Sequence, residues 1–596
     1  MPVETDTTNL AHSVLGAFHE LARTEPGRSL FTFVDEHGHD QETVTVGGLV
    51  GVAEAIAEAL RGWGFEPGDR AVLVYPPGTD FVRALIGCLI AGVIPVPVYP
   101  PSPIRLKQEL AGFNRIVANC RPRAVLTSGV YERAKTIGSV TSLLDRGKPS
   151  WPDLPWHRTD RCPAVSGGPL RWHEPISQDE PALLQYTSGS TSAPKGVIIT
   201  HGNLIEETRS NARDLGLGAD TRCVSWLPQY HDFGLISVII SSTTGNGHSY
   251  LLSPLTFLRR PHLWFEVMSR VRATHTAAPN FAFELAVRKT TPQQRASWDL
   301  SSMRVFMSAA EPIRPSTMDK FYTAFAASGV ARDTFYPAYG LAEHTVSVSM
   351  GGKAVLSLDR RALERGEVRI AEADGDGTAG GLTVIGCGRI TKPDATARVI
   401  DPETRRPTPS DRIGEIWVNS KTKAAGYYGL DAETKAVFRA TVAEDDDPTE
   451  YLRTGDLGFF YDGELFITGR VKDVIIVNGR NFHPEDLENS LREQTVGIRP
   501  GGLAAFSVPA DDDGPERLIV FAESKDKKSN AARGQQIAEA IRHQLLTDHS
   551  LAVHTVVVGK PGLVRKTTSG KVRRGACRQA YLADELGPTA TAVKFS

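Results

Sequence analysis

Strand-length apolar runs alternate with amphipathic helical stretches from residue 44 to residue 199, and this alternation most narrows the folds open to the chain. Leu49, Val52, Ile56 and Leu60 recur at helical spacing and share one face. Residues 71–75 read as a strand, a helix follows through Leu85 and Leu89, and residues 96–99 and 124–127 read as further strands. A chain that takes strand and helix in turn covers its strands with helices, so an α/β sheet is expected. The pattern continues with strands at 224–227 and 305–308 and helices starting at Gly234 and Pro315.

The length of 596 residues exceeds what one core fills, so a large domain with a smaller companion is expected. Residues 469–473 read as a turn between strands 465–468 and 474–477, and the boundary is placed there: residues 1–469, then 470–596. The second part carries helices at 484–491 and 535–546 and strands at 503–508, 518–523 and 553–558, a small α+β unit. Residues after Leu586 read as a frayed tail.

Lys and Arg total 67 against 69 Asp and Glu, so no global field draws the chain to nucleic acid or to an anionic membrane. Its six cysteines show no metal-ligand spacing and suit a reduced, cytoplasmic protein. Glu4 and Asp6 stand where a signal peptide needs basic residues. The apolar run at 84–98 is broken by Gly87, Gly92 and Pro95, too short for a transmembrane segment.

The strongest local signal follows the apolar residues 182–184: Thr187, Ser188, Gly189, Ser190 and Thr191, then Lys195, before a helix at Gly202. Small and hydroxylated residues let backbone N–H groups and hydroxyls close around phosphate oxygens, and Lys195 adds charge. No Gly-Lys pair is followed by Ser or Thr, so this is not a Walker loop. Composition alone fits a flexible surface loop equally well.

Further segments decide the matter by their order. They are Trp226-Leu227-Pro228-Gln229-Tyr230-His231-Asp232-Phe233-Gly234, Ala310-Glu311-Pro312, Tyr339-Gly340-Leu341-Ala342-Glu343, Thr454-Gly455-Asp456-Leu457, Thr468-Gly469-Arg470-Val471-Lys472-Asp473 and Thr568-Ser569-Gly570-Lys571. Together they resemble the ANL superfamily of acyl-CoA synthetases, peptide-synthetase adenylation domains and luciferases, over nearly the whole chain. Within it the chain is most similar to the fatty acyl-AMP ligases, on its Trp-Leu-Pro block and an extra stretch at 351–381. Phe233, Ser308-Ala309-Ala310 and Tyr427-Tyr428 depart from the commoner family residues.

The resemblance implies a large multi-sheet adenylating domain with a small, mobile C-terminal domain, and a fatty acid joined to AMP from ATP. It implies that Lys571 reaches the carboxylate and α-phosphate, while Glu343, with Thr187, holds Mg²⁺. Asp456 would bind the ribose with Arg470 nearby, and Tyr339 would flank adenine beside Ala310 and Glu311. His231, Asp232, Phe233 and Gly234 would border the acyl site, and Lys472 would be the hinge. The extra stretch implies an acyl carrier protein as acceptor in place of coenzyme A, which the basic segment around Lys571 could steer.

An acyl-CoA synthetase and a non-catalytic nucleotide or lipid sensor are the rival readings. The sensor would have lost Lys571, Glu343 or the phosphate loop, and none is lost. There is no G-x-S-x-G for a hydrolase, and the G-x-G-x-x-G at Gly375, Gly377 and Gly380 follows acidic residues inside the extra stretch, not a strand.

Overall fold

The computed structural model describes residues 13–102, 106–142, 150–165, 170–187, 194–371, 381–477, 480–495, 497–509, 516–526, 531–567, 570–587 and 590–595. The alternating pattern becomes two helix-covered sheets. In the larger, the strands lie in the order Ser347–Met350, Phe335–Gly340, Val305–Ser308, His275–Ala278, Arg222–Ser225, His248–Leu251, Ser29–Val34 and Asp40–Thr45. Its inner six are parallel, and the pair at each end is antiparallel. The smaller sheet, Ile94–Pro97, Arg70–Val74, Ala124–Thr127 and Trp156–Arg158, is parallel throughout. Strands covered on both faces need apolar residues at consecutive positions, as Ala71 to Val74 provide.

Two antiparallel sheets complete the large region. Pro181–Thr187, Lys195–Thr200 and Gly426–Tyr427 form one. The other holds Thr396–Ile400, Gly414–Asn419, Leu452–Tyr461 and Glu464–Arg470.

In the C-terminal part, Ile498–Val508, Arg517–Ser524, Thr555–Gly559 and Thr591–Lys594 make one sheet. Side chains alternate across a strand. Leu503 and Ala505 therefore meet Leu487, Leu491, Ile537 and Ile541 of two helices on one face. Ala504 and Phe506 meet Cys577 and Tyr581 of a third helix on the other.

Three expectations change. The strand expected to stop at residue 468 runs through Arg470, where ladder pairing with Asp456 outweighs the glycine at 469, and only Val471–Asp473 forms a tight turn. The expected tail contains the strand Thr591–Lys594, antiparallel to Thr555–Gly559, because Val593 has an apolar sheet face to cover. The helix expected from Gly234 starts at Asp232 and continues as a π-helix, Leu235–Ile240. Among the described residues no helix is long and apolar enough to cross a membrane.

Candidate active site

Thr187 and Lys195 sit opposite each other at the base of a β-hairpin. The strand Lys195–Thr200 follows the loop, and the helix expected at Gly202 begins one residue earlier, at His201. A hairpin, not a helix N-terminus, therefore presents Lys195. Gly196 is required: a Cβ there would lie 2.8 Å from the Tyr186 ring. Lys195 Nζ stands 4.7 Å from the Tyr427 ring centroid, a cation–π distance. Ser188, Gly189, Ser190 and Thr191 lie outside the described residues.

Tyr339 and Gly340 end an inner strand of the large sheet that turns back antiparallel into Ser347–Met350. A Cβ on Gly340 would fall 1.8 Å from the Val346 carbonyl oxygen, so only glycine allows this approach. Leu341 and Ala342 lead into the short turn Ala342–His344 that carries Glu343. Thr345 follows at φ 66, ψ −64, with the Val346 N–H donating to the His344 carbonyl at 2.8 Å, a strained γ-turn.

Buried bonds over-determine that turn. Thr345 Oγ1 donates to the Thr422 carbonyl at 2.7 Å, and His344 bridges the Ser347 carbonyl and Ser420 Oγ, each at 2.8 Å. Below it, Lys392 donates to Glu207 at 2.7 Å, to the Ser347 carbonyl at 2.6 Å and to Thr422 Oγ1 at 2.7 Å.

Glu343 is thereby presented to the cavity, its Oε1 accepting from the Tyr427 hydroxyl at 2.9 Å. Burial raises its pKa, so a nearby cation would favour its charged form. Among the described residues no group of three or more His, Cys, Asp or Glu could hold a metal by itself. One carboxylate beside a hydroxyl fits Mg²⁺ carried by phosphate, because Mg²⁺ keeps water and phosphate oxygens as its other ligands.

Asp456 and Arg470 are paired across adjacent strands, Nε to Oδ1 at 2.7 Å, while Tyr339 donates to Oδ2 at 2.6 Å. Both carboxylate oxygens thus have protein donors, and Tyr339 reaches the expected ribose residue through its hydroxyl. Asp456 in turn raises the Arg470 pKa, which fixes that charge at the cavity.

Lys571 is held on a tight reversal in which its N–H donates to Thr567 Oγ1 at 3.0 Å and its carbonyl accepts from the Thr567 N–H at 2.8 Å. The ammonium opens to the cleft facing Asp232, Glu311 and Asp456. Burial depresses its pKa below the 10.5 of a free lysine; Asp232 opposes the fall and Arg470 adds to it. For Asp232, burial works against the charge, yet contact with His231 and the field of Lys571 hold its pKa below the ordinary 3.8. Phe233 donates its N–H to Asp232 at 2.7 Å. Gly234 instead packs on the Pro228 carbonyl, where a Cβ would meet oxygen at 2.4 Å. Ala310 adopts φ +70 beside Glu311, whose Oε1 accepts from the Phe281 N–H at 2.5 Å.

These groups open into one cavity of roughly 1550 Å³, with Lys472 at its rim. A branch passes between the helix His201–Leu215 with the π-helix on one side and the large sheet on the other, lined by Leu215, Ser237, Met307 and Met350. Sequence reasoning missed this branch, and it gave Tyr427 no contact to Glu343. The one available signal was Ser237, a lone hydroxyl within the apolar run 235–240.

The extra stretch folds as Val355–Leu358 paired with Leu382–Ile385, plus the helix Arg360–Glu364. Leu358 and Leu363 pack on Phe459 and Phe466, and Arg480 donates to Glu364 at 2.5 Å. Gly375, Gly377 and Gly380 are outside the described residues.

A lysine in the field of buried carboxylates, with Asp456, Tyr339 and Glu343 and an apolar lining in the same cavity, is the site of an adenylate-forming enzyme. Residues 18–428 match the family described as AMP-binding enzyme, and 472–591 match the Disco-interacting protein 2-like AMP domain. The chain belongs to the AMP-binding enzyme family and, within it, to the fatty acyl-AMP ligases. The medium-chain-fatty-acid–acyl-carrier-protein ligase JamA of Moorena producens is 37% identical, with 96% of this chain and 95% of that protein covered. The long-chain-fatty-acid–AMP ligase FadD26 of Mycobacterium marinum is 34% identical, with 96% and 97% covered. The fatty acyl-adenylate ligase of Legionella pneumophila, solved with acyl adenylate and pyrophosphate, has a TM-score of 0.71 at 31% identity, with 98% of each chain covered.

Proposed function

We propose that the protein joins a fatty acid to the α-phosphate of ATP, releasing pyrophosphate, and then passes the acyl group to the phosphopantetheine thiol of an acyl carrier protein, releasing AMP. The observation that carries this reading is the shared cavity: Lys571 and Asp232, each in the other's field, line it together with Asp456, Tyr339 and Glu343 and with apolar Leu215, Met307 and Met350. A fatty carboxylate is already ionised near neutral pH, so no general base is needed. The obstacle is anion meeting polyanion, and positioned cations answer it.

In this reading Lys571 stabilises the charge shared by carboxylate and α-phosphate, and Lys195 with the hydroxylated loop grips the leaving pyrophosphate. Asp456 receives the ribose hydroxyls in place of the Tyr339 donor, with Arg470 beside it. Tyr339, Gly340, Leu341 and Ala342 flank the base with Ala310 and Glu311. Mg²⁺, held through Glu343 with Thr187 in reach, would supply charge neutralisation at the phosphates. His231, Asp232 and Phe233 border the carboxylate end of the branch, with Gly234 behind them.

Residues 1–469 would act as the nucleotide and acyl domain and 470–596 as the lysine-bearing domain, pivoting at Lys472. The extra stretch favours a carrier protein over coenzyme A, since its contacts through Glu364 and Arg480 would resist a swing of the small domain. The six cysteines are free thiols, as suits the reducing cytoplasm.

The test mixes enzyme, ATP, Mg²⁺ and radiolabelled dodecanoate with coenzyme A or with a phosphopantetheinylated carrier protein. Acyl-adenylate persisting beside coenzyme A and discharging onto the carrier is expected. Acyl-CoA would overturn the acceptor, and absence of pyrophosphate release with every acid would overturn adenylation.

A further inference from the structure

The apolar branch of the cavity contains a polar site. Asn211, on the helix His201–Leu215, lines the cavity although only 2% of its surface is exposed. Its Oδ1 lies 3.3 Å from Ser347 Oγ, whose single proton goes to Glu207 at 2.6 Å. Among the described residues nothing accepts from the Asn211 amide nitrogen, so a strong donor faces the cavity from an almost fully buried side chain. Such a donor favours a chain that brings an acceptor into the cavity.

Beside it on the same wall, the π-helix Leu235–Ile240 buries every residue except Ser237, which it turns into the cavity. π-Helical register commonly accompanies functional positions, and the Ser237 hydroxyl has no partner among the described residues. Leu215, Met307, Ala338 and Met350 supply the rest of the wall. A tunnel shaped only for alkane would not keep a donor amide and a hydroxyl on its helical wall.

We infer that the preferred acyl substrate carries an oxygen along its chain, as a hydroxyl or keto group, received by Asn211 and Ser237. This rests on the proposed adenylation of a fatty acid and deepens it by naming the substrate class. A carbonyl oxygen would accept from the amide, and a hydroxyl would accept from the amide while donating to Ser237. Ser347 lies opposite Gly340 in the strand register, which places Asn211 one side chain below the segment leading to Glu343. The oxygen therefore falls in the carboxyl-proximal half of the chain. A site built to bond an oxygen discriminates against the analogue lacking it, because its own polar groups are then left unmet.

The experiment measures kcat/KM for pyrophosphate release with dodecanoate and with its monohydroxy and monoketo positional isomers, using wild type, Asn211→Leu and Ser237→Ala. At least one carboxyl-proximal isomer is expected to exceed dodecanoate by about tenfold in the wild type, equivalent to about 1.4 kcal/mol. That ratio should fall to one or below in Asn211→Leu and fall partly in Ser237→Ala. Equilibrium binding of the matching acyl-sulfamoyl adenosines to the wild-type enzyme provides a second measure that needs no variant to fold. Dodecanoate preferred over every isomer, or a ratio unchanged in Asn211→Leu, overturns the inference while leaving adenylation intact. Failure of all the acids to release pyrophosphate would instead strike the adenylation reading.

Discussion

Tyr427 donates its phenolic hydrogen to Glu343 Oε1 at 2.9 Å, tying the strand beside the Thr187–Lys195 hairpin to the turn that carries Glu343. Burial raises the Glu343 pKa, and the Tyr427 bond pulls it back. Without the phenol the carboxyl needs a higher pH to ionise. Tyr427→Phe should therefore move the acidic limb of the pH profile for pyrophosphate release to higher pH and raise the Mg²⁺ concentration for half-maximal rate. A limb that stays in place would separate Glu343 ionisation from the rate.

In the proposed mechanism Lys571 acts through its positive charge, and burial lowers its pKa. Its contribution is present when protonated and disappears as pH rises through that lowered value. Wild-type kcat/KM should accordingly decline on the alkaline side before pH 10.5. Lys571→Ala should lose on the order of a hundredfold or more in adenylation rate, and its residual rate should lack that limb. Stopped-time pyrophosphate assays across pH read both effects.

Much of this site is legible in the sequence because its residues lie in short contiguous motifs whose local backbone dictates their display. Gly340 precedes Glu343 for a steric reason that a motif preserves, and the alternation at 44–199 follows from two-sided burial of parallel strands. What escapes is set by contacts distant in sequence. Asn211, Ser237 and Met350 share a cavity wall only once a helix and a sheet are stacked, and no spacing rule links them. The helix at Gly202 is legible, but the strand before it is not: residues 195–200 run on from the loop motif, and only their pairing with 181–187, Leu183 opposite Ile199, makes them the second arm of a hairpin. The terminal strand at 591–594 is too short and mixed to announce itself before the sheet face of Val556 and Val558 exists to receive it.

Lys392 and Glu207 form an ion pair with 3% and 0% of their side chains exposed, directly beneath the strained turn at Thr345. Removing one charge strands the other in a dry interior, which typically costs about 3–5 kcal/mol. Lys392→Met should lower stability by that order in chemical denaturation, and Lys392→Met with Glu207→Gln should recover a large part of it. Equal loss in the single and double variants would show that packing, not charge, is what the pair supplies.

Arg574 gathers carboxylates from two separate elements three residues beyond Lys571. It meets Glu485 at 2.7 Å and Glu488 at 2.9 and 3.0 Å on one helix, and Asp473 of the Val471–Asp473 turn at 3.6 Å. With 11% of its side chain exposed, the guanidinium couples the proposed hinge to the lysine loop in poorly hydrated surroundings. For Glu485, burial opposes ionisation, but Arg574 outweighs it and holds the pKa below the ordinary 4.5. A carboxylate with a depressed folded pKa contributes stability above its unfolded value and loses it as pH falls through the folded one. Arg574→Gln should therefore melt well below wild type at neutral pH, and the gap between them should narrow once pH drops beneath 4.5. Adenylation should weaken with it, because a slackened hinge contact leaves Lys571 less often opposite Asp232. Thermal melts across pH, run beside pyrophosphate release at neutral pH, check both halves; a gap independent of pH would mean that Arg574 serves by packing alone.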